Sequence, residues 1–254
     1  MSIAITATII TFNEERNIER CLTSLQGVVD EIVVVDSFSK DKTEAICQKF
    51  GVRFIQNPFP GHIQQKNFAI DQASHDWILS LDADEALTDE LKAAILAVKN
   101  NPQGMAYKFN RLTNYCGTWI KHSGWYPDTK TRLVNRQHAR WTGVNPHDRL
   151  DTTNGEQAIL LPGDLLHYSY YTRQDHLKQI EFFSGIAAKE LYQRGKTVGY
   201  PHIILKVIVQ YLKNILFKSC FLDGRAGWTI ARLSAYATWK KYTKLKRLHA
   251  GESI

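Results

Sequence analysis

The chain has 254 residues, of which 44% are hydrophobic and 22% charged, so it can bury a full core and is too apolar to be disordered. Its net charge of +7 is concentrated in residues 200–254, which hold ten Lys and Arg against two Asp and Glu. The nearly neutral remainder argues against a nucleic-acid-binding main domain. Four scattered cysteines without a C-x-x-C pair indicate neither a disulfide framework nor a zinc site, and they fit a reducing compartment.

Apolar runs alternate with helical periodicity over the first hundred residues. The runs predict strands: AITATII (4–10), EIVVVD (31–36), VRFI (52–55) and WILSL (77–81). The segments between and after them predict helices: NIERCLTSLQ (17–26), DKTEAICQKF (41–50), residues 64–73 and DELKAAILAVK (89–99). Thr88 is a suitable N-cap for the last helix. This alternation predicts an α/β fold whose mostly parallel sheet is flanked by helices, and the N-terminus reads as its first strand rather than a signal peptide.

Polar side chains follow three of these predicted strands, where open parallel sheets bind their ligands. They lie in residues 11–15, at Asp36 and in the segment Asp82-Ala83-Asp84-Glu85. Asp82 and Asp84 are two apart, so in extended backbone both carboxylates point the same way and repel each other unless a cation lies between them. Mg²⁺ or Mn²⁺ takes such oxygen ligands together with phosphate, and a solvated turn is the alternative. No G-x-G-x-x-G or P-loop is present.

Six segments resemble, in this order, family 2 glycosyltransferases. They are ATIITFNEERNIERCLTSL (7–25), EIVVVDSFSKDKT (31–43), QQKNFAI (64–70), WILSLDADE (77–85), GWYPDTKTRLV (124–134) and GDLLHYSYY (163–171). The last two segments resemble the branch that adds a hexose to the lipopolysaccharide inner core, the heptose β-glucosyltransferases. The resemblance covers nearly the whole chain. It implies a GT-A fold and an inverting transfer of a hexose, here glucose, from a UDP-sugar.

The resemblance also assigns the donor site. Phe12 matches the aromatic position that packs on uracil, and Asp36 matches the carboxylate that accepts from the base N–H. Lys66 matches a basic residue near base and phosphate, and Asp82 a carboxylate near ribose and metal. The structural alternatives are that Phe12 packs in the core and that Lys66 is a solvated surface lysine. Phe38 stands where the family has glycine in D-S-G-S, so the turn after Asp36 is expected to differ.

Further roles follow from the same resemblance. Asp84 and His167 match the residues that hold the divalent metal ion, Mg²⁺ or Mn²⁺. The family has His-Glu before Arg-Leu, and this chain has His147-Asp148 there, so Asp148 stands at the position of the family's Glu. Asp148 is the predicted general base for the acceptor hydroxyl. Asp128 is the rival base.

Structural alternatives exist for the acceptor side as well. Asp148 could instead pair with Arg149 or Arg132 at the surface. Trp125 and Tyr126 are predicted either to line the acceptor pocket together with Asp128 or to be core aromatics, because sugar faces stack on aromatic rings.

The C-terminal segment forms a basic helical tail, and we predict domains at 1–199 and 200–254. Pro201 suits a helix start, and residues 201–217 are apolar apart from a stripe of Lys206, Gln210, Lys213 and Asn214. This segment is too short and too charged to span a bilayer comfortably. A second block joins five cations, Lys240, Lys241, Lys244, Lys246 and Arg247, to Trp and Tyr residues. Such a tail is typical of proteins bound to an anionic membrane surface, and a helical interface for homo-oligomers is the alternative.

These observations predict a cytoplasmic, peripheral enzyme on the inner face of the cytoplasmic membrane that glycosylates a lipid-linked glycan. A glycosyltransferase acting on polyprenyl phosphate is the nearest alternative, although such enzymes usually carry membrane spans. A nucleotidyltransferase would need a Gly-rich basic first loop, whereas TFNEERN is acidic. A non-catalytic nucleotide-binding module is predicted only if Asp84 or His167 lies away from any cleft.

Overall fold

The structure is a computed structural model, which describes residues 2–144 and 147–254. The chain divides into two compact units. The first, the sheet unit, contains the chain up to Arg111 together with Asp128–Tyr168. The second, the helical unit, contains Leu112–Pro127 and Ser169–Ile254. We predicted a domain boundary at residue 200 from the basic, helical character of residues 200–254, and this boundary stays a prediction.

The parallel half of the sheet lies in the first part of the chain. Its strands are β1 (Ile5–Thr11), β2 (Glu31–Asp36), β3 (Arg53–Gln56) and β4 (Trp77–Asp82). They pair in the order β3-β2-β1-β4, all parallel. The helices that connect and follow them are α1 (Ile18–Leu25), α2 (Thr43–Lys49), α3 (His62–Gln72) and α4 (Asp89–Asn100). The predicted alternation is therefore confirmed, and so is the Thr88 cap, whose hydroxyl accepts from the Leu91 N–H.

The second half of the sheet is antiparallel, which makes the whole sheet mixed. The remaining strands are β5 (Glu85–Leu87), β6 (Ala106–Tyr115), β7 (Thr118–Ile120), β8 (Asp128–Asn135), β9 (Ala139–Val144), β10 (His147–Thr152) and β11 (Ile159–Tyr170). The order continues from β4 through β8, β6, β11 and β5, while β9 and β10 form a separate hairpin. Buried aliphatic residues of β1, β4, α1 and α4 fill the main core. The α/β class is confirmed. The expectation of a mostly parallel sheet is corrected, because the pairings β4–β8, β8–β6, β6–β7 and β11–β5 are antiparallel.

The turn after β2 holds the substituted position of the D-S-x-S segment. Phe38 takes a positive φ of 63°, the left-handed region that glycine enters without steric penalty. The Asp36 carboxylate supports this turn, because it accepts from both the backbone N–H and the hydroxyl of Ser39. The turn therefore keeps a glycine-like conformation although the residue is phenylalanine.

The helical unit is built on three long helices. They are α5 (Arg173–Gln193), α6 (Tyr200–Leu216) and α7 (Gly224–His249), with a short 3₁₀ turn at Cys220–Asp223. An aromatic cluster of Tyr115, Trp125, Tyr170 and His176 packs near Ile120 and Ile230. Among the described residues no helix is both long and apolar enough to cross a membrane. The predicted C-terminal helical appendage is present as α6 and α7.

Candidate active site

The D-x-D segment forms the tight turn between β4 and β5. Because β5 pairs with β11, this turn lies beside the carboxyl end of β11, with Glu85 opposite His167. The Tyr168 N–H donates to the Asp84 carbonyl at 2.9 Å, which fixes the register of the two segments. Residues that are 83 positions apart in sequence thus lie at one edge of the sheet.

Asp84 and His167 are brought together by this register. The His167 Nε2 lies 3.3 Å from an oxygen of Asp84. Burial raises the pKa of Asp84, but the adjacent His167 outweighs it, and the pKa is lowered overall. In the described parts of the chain, no group of three or more His, Cys, Asp or Glu side chains is placed to hold a metal ion. A metal ion bound by Asp84 and His167 would therefore have two protein ligands.

Asp82 binds cations of the protein rather than pointing into solvent. One oxygen lies 3.0 Å from Lys66 Nζ and the other 2.9 Å from an Arg132 nitrogen. Burial raises the pKa of Asp82, yet Lys66 and Arg132 together hold it well below its ordinary value. Asp82 is therefore a fixed carboxylate.

Lys66 joins the D-x-D turn to the predicted base. Its ammonium group also donates to Asp148 at 2.8 Å and lies 4.2 Å from the Trp141 ring centroid. Lys66 itself is buried on the inner face of α3, so it is not a solvated surface lysine. Of the two alternative partners of Asp148, Arg149 pairs with Asp151, and Arg132 pairs with Asp82 and Glu85. Asp148 and Asp82 thus share one buried cation.

A cleft of about 370 Å³ in the sheet unit contains this triplet. Its lining includes Lys66, Asp82, Arg132, Trp141 and Asp148. The size of the cleft and its mixture of charged and aromatic walls suit a polar ligand that carries a ring.

Asp128 begins β8 and is held by cations. It lies 2.7 Å from Arg111 and 2.9 Å from Lys130. Burial raises the pKa of Asp128, but Arg111 foremost, with Lys130, lowers it overall. Both cations line the cleft. Asp128 is therefore engaged in ion pairs beside the cleft, whereas Asp148 is part of its wall.

Phe12 and Asp36 lie at the ends of β1 and β2. Phe12 is 55% exposed, so it is not a core residue. Asp36 is fully buried, and both of its oxygens accept from Ser39. A carboxylate offers about four acceptor positions, so the Ser39 contacts do not exhaust Asp36. The turn that Asp36 supports carries Phe38, which is 48% exposed.

Trp125 and Tyr126 belong to the helical unit. The Trp125 ring packs 5.4 Å from the Tyr170 ring and 5.8 Å from the Tyr115 ring, which is the packing that the core alternative expects. Tyr126 is half-buried and precedes Pro127 through a cis bond.

Three charged residues at this edge have no role in the sequence-based assignment. Glu85 and Arg132 are both buried and form an ion pair at 2.7 Å, and Glu85 also accepts from the Asp82 N–H. Together they hold the D-x-D turn. Glu14, after β1, is a further carboxylate here; its burial, together with Asp84, raises its pKa to about 7. Glu14 lies in the segment FNEE and Glu85 in the segment DADE, so both are visible in the sequence. Only the structure shows that they lie at the same edge of the sheet.

Comparison with known proteins decides the family. Residues 6–157, more than half of the chain, match the model of glycosyl transferase family 2. The chain belongs to this family. It is 31% identical to an uncharacterized glycosyltransferase of Rickettsia bellii, over 96% of this chain and 86% of the relative.

One further relative and one solved structure extend the comparison of this family 2 glycosyltransferase. It is 26% identical to the lipopolysaccharide core biosynthesis glycosyltransferase LpsC of Rhizobium meliloti, over 97% of this chain and 93% of that protein. Among solved structures it is similar to glucosyl-3-phosphoglycerate synthase from Mycobacterium tuberculosis, in complex with Mn²⁺, UDP and glucosyl-3-phosphoglycerate. That match has 24% identity and a TM-score of 0.36, and it covers 44% of each chain.

Proposed function

We propose that this family 2 glycosyltransferase is a metal-dependent, inverting hexosyltransferase. It moves a hexose, glucose in our proposal, from a UDP-sugar to a lipopolysaccharide inner-core or similar lipid-linked glycan. The observation that carries the proposal is the shared Lys66, which joins Asp82 of the D-x-D turn to Asp148 across one cleft. The similarity to LpsC supports the choice of acceptor.

The metal ligands in this proposal are Asp84 and His167. A carboxylate oxygen and an imidazole nitrogen 3.3 Å apart fit one Mn²⁺ or Mg²⁺ ion, since ligand distances are about 2.0–2.2 Å. The remaining coordination positions would be open to diphosphate oxygens and water. When bound, the ion would neutralise the charge that develops on the leaving UDP. Asp82 stays fixed by Lys66 and Arg132 and orients the turn that presents Asp84.

Phe12 and Asp36 bind the uracil in this proposal. An exposed aromatic ring beside a strand end offers an apolar face for the base, and Asp36 has acceptor capacity left for the base N–H. Phe38 is exposed in the same turn and adds a second ring near Asp36.

Asp148 is the general base of the proposed reaction. The acceptor hydroxyl oxygen forms a bond to the anomeric carbon, and the bond from that carbon to the β-phosphate oxygen breaks with its electron pair leaving on UDP. The hydroxyl proton passes to Asp148. Attack from the face opposite UDP inverts the anomeric centre, so no carboxylate has to act as nucleophile. In this proposal Asp128 binds the acceptor beside the cleft. Trp125 and Tyr126 of the helical unit stay acceptor residues predicted from the sequence alone.

The acceptor also sets the proposed location. A lipid-linked glycan lies at a membrane surface, so the enzyme works as a peripheral protein at the inner face of the cytoplasmic membrane. The basic character of residues 200–254 supports this location.

Isothermal titration calorimetry with UDP tests the proposal at the metal. We expect UDP affinity to be at least about tenfold higher with Mn²⁺ than with EDTA, because an ion held by the Asp84 carboxylate and the His167 imidazole would attract the diphosphate. Asp84→Ala should abolish the difference. Asp89→Ala, which removes a carboxylate that is 97% exposed in the first turn of α4, is the control and should retain it.

Equal UDP affinity of the wild type in Mn²⁺ and EDTA would contradict the metal-dependent proposal. A panel of UDP-sugars, followed by release of UDP, then identifies the donor; glucose is expected to give the highest rate. If another UDP-hexose is preferred, the reaction class stands and the sugar is corrected.

A further inference from the structure

Helix α6 presents its apolar residues to the outside. Its fully buried positions are Ile203 and Asn214, and Gln210 is half-buried. Six of its exposed positions carry large apolar residues: Ile204, Leu205, Ile208, Val209, Leu212 and Leu216. Lys206 and Lys213 are exposed as well. The exposed side of the helix is therefore mainly apolar, unlike that of an ordinary surface helix, which turns its polar face to water.

The apolar surface continues beyond the helix. Phe217 is 82% exposed, and Phe221 and Leu222 of the following 3₁₀ turn are exposed as well. We call these three residues and the six outward residues of α6 the apolar arc. Nine large exposed apolar side chains in one stretch of 19 residues exceed the scattered apolar residues of ordinary protein surfaces, and such a patch marks an interaction site.

The packing of Asn214 shows that the orientation is built into the fold. Its side chain is 1% exposed, and its Nδ2 has no hydrogen-bond partner within the described parts of the chain. A buried amide without a partner is unfavourable in water. Rotating α6 by half a turn would hydrate Asn214 and bury the apolar arc, so the helical unit maintains the less soluble orientation.

Cations and tyrosine rings lie along one border of this helix. Lys206 of α6 lies 5.4 Å from the Tyr242 ring, and Lys241 lies 4.7 Å from the same ring. Lys246 of α7 lies 4.5 Å from the ring of Tyr200, the first residue of α6. Lysines and tyrosines beside an apolar surface are typical of the interface between lipid headgroups and acyl chains.

The structure also changes the account of the basic block in α7. Lys240 and Lys244 pair with Glu181 of α5, and Arg247 pairs with Glu252. Three of the five cations are thus paired within the protein, and the two carboxylates cancel two of the five positive charges. Attraction to an anionic surface therefore comes from fewer charges than the sequence predicts, and the apolar arc has to supply most of the binding.

We propose that the apolar arc inserts into an anionic lipid bilayer, with α6 lying in the membrane plane at headgroup depth. This inference deepens the function proposed above, on which it rests for the lipid-linked acceptor, by naming the surface that meets the membrane. A helix of 17 residues is about 25 Å long, enough to lie along the surface as interfacial helices do.

Charge favours lipid over a second copy of the chain. A twofold interface across the arc would bring the same lysines towards each other. The carboxylates of residues 200–254 are Asp223, which is buried and binds backbone N–H groups at Lys121 and His122, and Glu252, which pairs with Arg247. Neither supplies a counter-charge, whereas phospholipid phosphates do.

Vesicle co-sedimentation of the full-length protein tests the proposal. The probes are vesicles of phosphatidylethanolamine with phosphatidylglycerol, and vesicles of phosphatidylcholine alone. The wild type should bind the anionic vesicles, and Leu205→Ser combined with Ile208→Ser should lower its partition coefficient at least about tenfold, since each change removes a large exposed apolar side chain that the bilayer would bury. Lys206→Gln combined with Lys241→Gln should weaken binding to the anionic vesicles and leave binding to phosphatidylcholine unchanged.

Leu160→Ser is the matched control. Leu160 lies on β11 in the sheet unit and is 51% exposed, close to the 58% of Leu205, so its loss should leave vesicle binding unchanged. All variants should keep the wild-type melting temperature and UDP affinity, because the changed side chains are on the surface.

Three results would overturn the proposal. The first is a wild type that stays in the supernatant with anionic vesicles, and the second is a Leu205/Ile208 variant that binds them as the wild type does. The third is a concentration-dependent dimer in analytical ultracentrifugation that the same variant converts to a monomer without any vesicle binding; the arc is then a subunit interface. Absence of UDP binding contradicts the proposed function alone, because vesicle binding is measured separately.

Discussion

Asp148 and Asp128 differ in how the protein holds them, and this difference separates the two candidate bases. Asp148→Asn preserves shape and removes proton acceptance, while Lys66 retains Asp82 as a partner. We expect UDP affinity near that of the wild type and transfer lowered by roughly 10²–10⁴-fold, the usual contribution of a general base. Steady-state transfer rates and UDP calorimetry on the same preparations measure both quantities.

Asp128→Asn is the matched control for this prediction. Its carboxylate is occupied by Arg111 and Lys130, so its loss should weaken acceptor binding more than it lowers the maximal rate. If Asp128→Asn abolishes turnover and Asp148→Asn remains active, the base is Asp128.

His176 gives the helical unit a sensitivity to acid. Burial among the rings of Tyr115, Trp125 and Tyr170 lowers its pKa from 6.5 to about 4. The unfolded chain therefore takes up the proton first, so this stabilisation is present above pH 6.5 and is lost as the pH falls towards 4. Between pH 7.5 and pH 5 the loss amounts to about 2 kcal/mol.

His176→Phe should remove this pH dependence while it preserves ring packing. Urea unfolding at both pH values, followed by circular dichroism, measures the change in the free energy of unfolding. The solvent-exposed His202 provides the control, because His202→Phe should leave the difference between the two pH values as in the wild type. An unchanged pH dependence in His176→Phe would show that other groups cause it.

The residues of the proposed donor site show what sequence can and cannot predict. Asp82 and Asp84 are recognisable from their spacing at a strand end, and the family resemblance adds His167, which the structure places 3.3 Å from Asp84. The ion pairs that Lys66 and Arg132 form with Asp82 could not be predicted from the sequence. Both bind Asp82, but Lys66 comes from α3 and Arg132 from β8, and pairing between distant segments leaves no local pattern.

At the scale of elements, β11 and α4 depend on Gly163. The residue has a φ of +87°, and a Cβ there would lie 2.4 Å from the Leu91 nitrogen in the first turn of α4. Gly163→Ala should lower the free energy of unfolding by roughly 3–5 kcal/mol, because strain and collision add. β11 also carries His167, so the gain in UDP affinity on adding Mn²⁺ should fall as well.

Gly155→Ala is the control for this prediction. Gly155 has a similar positive φ of 68° but no neighbour within 4 Å of the added Cβ. We expect a loss of roughly 1–2 kcal/mol from strain alone and no effect on UDP binding. Chemical denaturation of both variants measures the difference; equal losses would mean that the contact with α4 relaxes without cost.

The elements themselves were predicted unevenly. The parallel strands, their helices and the Thr88 cap follow from local periodicity and capping chemistry, and all are present. The antiparallel strands after α4 were not predicted, because their registers depend on pairing over long separations, such as β5 with β11. The inward position of Gln210, which is half-buried, and of the buried Asn214 in α6 also could not be predicted, since periodicity shows a polar stripe but not which way it faces.

At the scale of the whole molecule, the predicted boundary at residue 200 cuts through the helical unit. α7 packs against α5, and its Ile230 joins Tyr115, Ile120 and Trp125 in one cluster. A chain ending at Gly199 would expose this cluster and leave Glu181 without Lys240 and Lys244. We therefore expect the truncated protein to bind the dye ANS and to lose a cooperative melting transition for this unit.

The matched control for the truncation is the full-length chain with serine at Leu205 and Ile208, which should melt as the wild type does. Differential scanning calorimetry and ANS fluorescence distinguish the two. A truncated chain that melts cooperatively and excludes ANS would show that the helical unit does not require α6 and α7.

The outward apolar residues of α6 also bear on how the sequence can change. In a screen for soluble expression, polar substitutions at Leu205, Ile208 and Leu212 should be enriched, because they reduce self-association in water. In a screen for growth that requires the membrane-bound product, the same substitutions should be depleted. Natural selection and laboratory selection for yield therefore act in opposite directions on one face of one helix.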